Sequence, residues 1–121
     1  MTLDAGALIA FDRRDRRVAA IVLRALERGA PLAIPTGALA QAWRGGSGTP
    51  LRALISDPVV RVEDLTLALA LAAGELCAAA GTADVVDASV VLVAGRYGGR
   101  VATSDAADLR RLDRALDIVP V

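Results

Sequence analysis

The sequence predicts an α/β fold: a central, mostly parallel sheet of about five strands with helices on both faces. Three observations carry that expectation. Short β-leaning runs alternate with longer helical stretches along the whole chain. The strand candidates are continuously apolar, the pattern of strands buried on both faces. Hydrophobic residues reach 55 % while aromatics are only 2 %, so the core is built from Ala, Val, Leu and Ile, which favour close helix–sheet packing. At 121 residues, with no repeat and no dividing linker, positions 1–121 are read as one domain.

Each element has its own signal. Thr2-Leu3-Asp4 ends a first strand, and Ala5 to Phe11 continues as an apolar helix. Arg14 to Arg28 is amphipathic: Val18, Ile21, Val22, Ala25 and Leu26 fall on one helical face, and Gly29 stops it. Leu32-Ala33-Ile34 is a buried strand closed by Pro35. Thr36 caps a helix to Arg44, and Gly45-Gly46-Ser47-Gly48 is a loop. Thr49 to Ser56 is a brief helix before Asp57-Pro58, and Val59 to Val62 is the third strand. Thr66 caps an Ala/Leu helix that ends at Gly81. Asp84 to Tyr97 is another helix, stopped by Gly98-Gly99, with Tyr97 read as helix-end packing. Arg100 to Thr103 is the fourth strand, Asp105 to Leu116 a helix, and Ile118-Val119 a terminal edge strand.

Composition excludes several chemistries. With no His, neither a Ser-His-Asp nor a Cys-His centre can be built, and zinc loses its usual ligands. With no Lys there is no P-loop, and Asp-based phosphotransfer of the receiver or dehalogenase kind lacks its lysine. Cys77 has no partner for a disulfide and reads as a buried small apolar residue in a reducing compartment. The longest apolar run, Leu65 to Ala73, falls short of the roughly 20 residues of a membrane span. No basic region precedes the first apolar stretch, and the expected location is the cytoplasm. Net charge is zero, but arginines cluster at Arg13, Arg14, Arg16 and Arg17 and again at Arg110, Arg111 and Arg114. They read as a solvated face or a phosphate contact.

What remains is a set of aspartates. Asp4 and Asp105 each follow a strand, where parallel sheets place their sites. Asp84/Asp87 and Asp105/Asp108 are spaced i, i+3, so each pair shares a helix face. Singly, Asp4, Asp84 and Asp105 read as helix N-caps, and Asp87 as a first-turn acid favoured by the dipole. Together, carboxylates without cationic partners repel, and a divalent cation relieves that repulsion. Hard oxygen ligands select Mg²⁺, with Mn²⁺ as the alternative, and such a site can hydrolyse a phosphodiester without histidine.

Leu3-Asp4-Ala5, Ala40-Gln41-Ala42-Trp43-Arg44, Asp84-Val85-Val86-Asp87-Ala88 and Thr103-Ser104-Asp105-Ala106-Ala107-Asp108-Leu109 resemble, in order and spacing, the motifs of PIN-domain toxins of the VapC type. The resemblance covers essentially the whole chain, and its Thr-Ser-Asp-x-x-Asp-Leu block is the most specific part. It implies a PIN-like three-layer fold and a Mg²⁺-dependent endoribonuclease acting on RNA such as tRNA or rRNA. Also implied are a cognate VapB-like antitoxin lying over the site and a homodimer. By motif position Asp4, Asp87 and Asp105 would be the catalytic, metal-binding acids, with Asp84, Asp108 and Gln41 as secondary candidates.

One position departs from the family, which commonly has Glu where this chain has Gln41. Gln keeps an oxygen acceptor but loses the charge, so Gln41→Glu is expected to tighten Mg²⁺ binding. The same departure defines the alternative expectation, a degenerate PIN domain with weak or no cleavage that acts by binding antitoxin or RNA. A metal-dependent nuclease acting on DNA is a third. Ser104 is expected to support the turn that presents Asp105, and Trp43 to serve as core or partner interface.

Overall fold

The computed structural model describes all residues 1–121 and contains one five-stranded, all-parallel sheet. The strands are β1 (Thr2–Leu3), β2 (Leu32–Pro35), β3 (Val60–Glu63), β4 (Arg100–Thr103) and β5 (Asp117–Pro120), ordered β3-β2-β1-β4-β5. Between them run α1 (Ala5–Asp12), α2 (Arg16–Glu27), α3 (Thr36–Ala42), α4 (Pro50–Ile55), α5 (Leu67–Ala80), α6 (Val85–Arg96) and α7 (Ala106–Leu112). The expected α/β architecture is present, and the strand order is compatible with a PIN-like arrangement.

The order locates the site. From β1 the chain steps outward to β2 and β3, then crosses back to β4 on the other side of β1 and continues to β5. Right-handed crossovers therefore place α1 to α4 on one face and α5 to α7 on the other. Between β1 and β4 the connections leave in opposite directions, which opens a crevice at their carboxyl ends. Asp4 follows β1 and Asp105 follows β4, so both stand at that crevice.

Small residues bring the layers close. Leu3, Ala33, Ile34, Val101 and Ala102 are fully buried in the sheet, against Leu8 and Val22 on one side and Val90 and Val93 on the other. Thr66 caps α5 by accepting the Leu69 N–H at 3.1 Å, and Gly81 ends it at φ +70°, a conformation a Cβ disfavours. Cys77 is buried and unpaired, as its surroundings in the sequence imply. No single helix is long and apolar enough to cross a membrane.

Several boundaries differ from expectation for local reasons. The second helix begins at Arg16, not Arg14, because Asp15 is its N-cap and accepts the Val18 N–H at 3.0 Å. Arg14 itself lies in the left-handed region at φ +64°. The third helix stops at Ala42, with Trp43 extended. The last helix stops at Leu112 instead of Leu116, since Asp113 is extended and its carboxylate accepts the Ala115 N–H at 2.8 Å. Trp43 packs on the core and carries the Arg52 guanidinium 4.7 Å above its ring. Tyr97 does more than pack: its hydroxyl donates to the Glu63 carboxylate, tying the end of α6 to the end of β3.

Candidate active site

Asp4 is the anchored member of the aspartate set. It caps α1, its Oδ1 accepts the Ala7 N–H at 2.7 Å, and only 6 % of the residue is exposed. Burial pushes its carboxyl above the ordinary range, while the Thr103 hydroxyl and the Ala7 N–H favour the charged form and offset part of that rise. The Asp105 carboxylate adds to the upward push.

Asp87 is the most perturbed acid. It stands in the first turn of α6, half-buried, and its carboxyl is raised from 3.8 to about 6. Burial is the largest cause, followed by the carboxylates of Asp84, Asp105, Asp108 and Asp4. That list brings together the five aspartates singled out in the sequence, from the starts of α1, α6 and α7. Asp84 caps α6, accepting the Asp87 N–H at 3.0 Å.

Asp105 is exposed at the end of β4, and its carboxyl is raised chiefly by sharing a hydrogen bond with Asp108. Its backbone is held from below: its N–H donates to the Thr103 hydroxyl at 2.8 Å. The turn that presents Asp105 is thus supported by Thr103, buried to 1 % exposure, and not by Ser104, which is exposed. Asp108 is the one acid of the set with a cationic neighbour, Arg111, at 3.9 Å. Thr82, Asp84, Asp87, Asp108, Arg111 and Leu112 line one shallow pocket.

Gln41 is exposed, hydrogen-bonds to none of these aspartates, and lines a recess with Ile9, Asp12, Arg13, Ala42 and Arg44. Sequence reasoning missed two contributors. One is Thr103, whose signal was its place directly before Ser104-Asp105. The other is Gly6: a Cβ there would lie 2.4 Å from Ser104 Oγ and 3.4 Å from Asp4 Oδ1. The missing side chain lets the first turn of α1 approach the β4–α7 turn, which sets Asp4 beside Asp105.

In chemistry the donor set fits a hard divalent cation. All donors are oxygens, and a bound cation would relieve the mutual repulsion that adds to burial in raising Asp87. In geometry the set is open: no three acidic, cysteine or histidine side chains stand together as a ready cage. No protein-family model matches the chain, and no curated protein matches it.

Proposed function

We propose that this protein is a divalent-metal-dependent endoribonuclease, the toxin of a toxin–antitoxin pair, with Asp4, Asp87 and Asp105 as its metal-binding acids. The observation that carries the proposal is the concentration of carboxylates at the crevice between β1 and β4, where burial first and the neighbouring acids second raise Asp87 to about 6. Partly buried carboxylates gathered at a parallel-sheet switch point suit a cation, which would offset both their desolvation and their repulsion. The motif resemblance to VapC-type PIN domains supports RNA as substrate, with tRNA or rRNA as the class.

Each acid has a separate task. Asp4, fixed by Ala7 and steadied by Thr103, supplies a rigid carboxylate. Asp105, exposed at a loop–helix junction, supplies one that can turn toward the ion. Asp87, titrating near 6, can hold or release a proton close to neutral pH. Asp84 and Asp108 add negative field at the rim, with Arg111 balancing Asp108. When bound, Mg²⁺ or Mn²⁺ would polarise the phosphoryl group and lower the pKa of a coordinated water. Partners on this proposal are a VapB-like antitoxin covering the acids and a second copy of the chain, in the cytoplasm.

Total cellular RNA incubated with the protein in Mg²⁺ and in EDTA, with the new ends sequenced, tests the activity. Cuts confined to the Mg²⁺ sample support it, and intact RNA in both samples refutes it. The open arrangement of the acids favours a second reading, a degenerate domain that binds antitoxin or RNA without cutting. That reading predicts a stable complex and intact RNA.

A further inference from the structure

Arg13, Arg14, Arg16 and Arg17 form a compact cationic corner where α1 ends and α2 begins, and all four are exposed. The ion pairs of the protein, Arg96–Glu63, Arg100–Asp117 and Arg111–Asp108, leave every one of them without a carboxylate partner. Two acids sit within the same stretch, yet each is committed elsewhere. The Asp12 carboxylate accepts the Leu51 N–H at 3.1 Å, and that of Asp15 accepts the Val18 N–H at 3.0 Å. The chain thus uses its local acids for backbone capping, and the stretch from Asp12 to Arg17 keeps an excess of positive charge with no arginine held in an ion pair.

The placement is unfavourable for folding taken alone. Arg16 and Arg17 occupy the first turn of α2, the positive end of a 12-residue helix that has no acid in that turn. Arg14 occupies a left-handed conformation that a β-carbon disfavours. Where a sequence departs from several local rules at once, function is the usual reason.

A recess runs from the corner toward the aspartates. Gly6, Ile9, Ala10 and Arg13 lie at helical spacing along one face of α1 and form its floor, with Ser104 beside Gly6 and Asp15 beside Arg13. Ser104 directly precedes Asp105, and the Gly6 Cβ position lies 3.4 Å from Asp4 Oδ1, so one end of the recess stops next to the acids. The seven helical steps from Gly6 to Arg13 span about 10 Å, the axial length of about three phosphates of a nucleic-acid strand.

We propose that Arg13, Arg14, Arg16 and Arg17 bind the phosphate backbone of the RNA strand whose scissile bond lies at the aspartates, the recess along α1 carrying the strand between them. This rests on the nuclease reading above for the identity of the acidic end. The physical need is plain: five carboxylates repel a polyanion, and a separate unpaired cationic surface within a few nucleotides supplies the attraction.

Binding of a short labelled single-stranded RNA, measured in EDTA over a salt series, tests the proposal without requiring cleavage. R16A/R17A is compared with R24A/R28A, which removes the same charge from the far end of α2. Two lost phosphate contacts lower the slope of log K against log salt by about 1.4, with affinity at low salt falling on the order of tenfold. R24A/R28A keeps the wild-type slope, and R16K/R17K restores it, because the contact needs charge. The Tm of R16A/R17A is not below wild type, since it removes cations from a positive helix end. Equal slopes for R16A/R17A and R24A/R28A, or no salt-dependent RNA binding by the wild-type protein, overturn the proposal. Salt-dependent binding through the corner with no cleavage in Mg²⁺ would uphold the corner and sink the nuclease reading. Cleavage in Mg²⁺ with equal slopes would do the reverse.

Discussion

Thr103 accepts the backbone N–H of Asp105 at 2.8 Å while its hydroxyl also faces the Asp4 carboxylate and favours its charged form. One buried hydroxyl therefore sets the position of the second acid and the electrostatics of the first. Thr103→Val keeps the shape of the side chain and removes both effects. The hydrogen bond and the desolvated N–H together cost about 1–2 kcal/mol, a Tm fall of about 5 °C. Cleavage at limiting Mg²⁺ falls by about 10- to 100-fold, and Thr103→Ser recovers most of it. Thermal unfolding and a Mg²⁺-dependent rate series for the two variants check this.

Asp87 gives the protein a pH-dependent stability of definite sign. Its folded carboxyl holds a proton up to about 6, against 3.8 for the ordinary group, so folding is favoured by protonation here. Asp87 costs nothing below the lower value, and its cost grows as pH rises through the window and is complete above about 6. Asp87→Asn removes the cost. In the metal-free protein it raises stability by about 1 kcal/mol near neutral pH, a figure discounted for solvent exposure, and leaves it unchanged near pH 4. Denaturant titrations at the two pH values measure the difference.

Gly6 and Ser104 are predicted to couple. Gly6→Ala gains helix propensity of up to about 1 kcal/mol but drives a Cβ against Ser104 Oγ, so alone it is close to neutral. Ser104→Ala removes the obstructing oxygen, and the double variant is more stable than wild type by most of that gain. A double-mutant cycle by chemical denaturation reads the coupling, and strict additivity would show that the turn yields freely.

Gln41→Glu puts a carboxylate into a recess that holds Arg13 and Arg44. In that setting the new charge is met by arginine more than by the crevice, and Mg²⁺ affinity changes by less than about threefold. A tightening of about 10- to 100-fold in calorimetry would instead place position 41 within reach of the ion.

The sheet and most helices were legible because each signal was local: apolar runs for strands, Thr66 and Gly81 bracketing α5, Gly98-Gly99 ending α6. The aspartates were legible because strand ends and helix starts coincide at Asp4 and Asp105. Thr103 was not, since a strand threonine reads as β-propensity and its hydroxyl gains meaning only when β1 and β4 pair. The Tyr97–Glu63 bond joins residues 34 apart in sequence and has no local signature. The α2 start was mistaken because continuing arginines hid Asp15 as a cap, and the α7 end because Asp113 looks helical until its side chain turns back on Ala115.

The central claim is that Asp4, Asp87 and Asp105 hold one divalent-cation site, and Mn²⁺ titration near pH 6 in buffers of different ionisation enthalpy tests it most directly. Asp87 is about half protonated there and must lose its proton to bind metal, so saturable binding should release about half a proton per ion. Asp87→Asn should bind far more weakly and release fewer protons than wild type. Absence of saturable binding, or wild-type affinity with wild-type proton release in Asp87→Asn, would contradict the account.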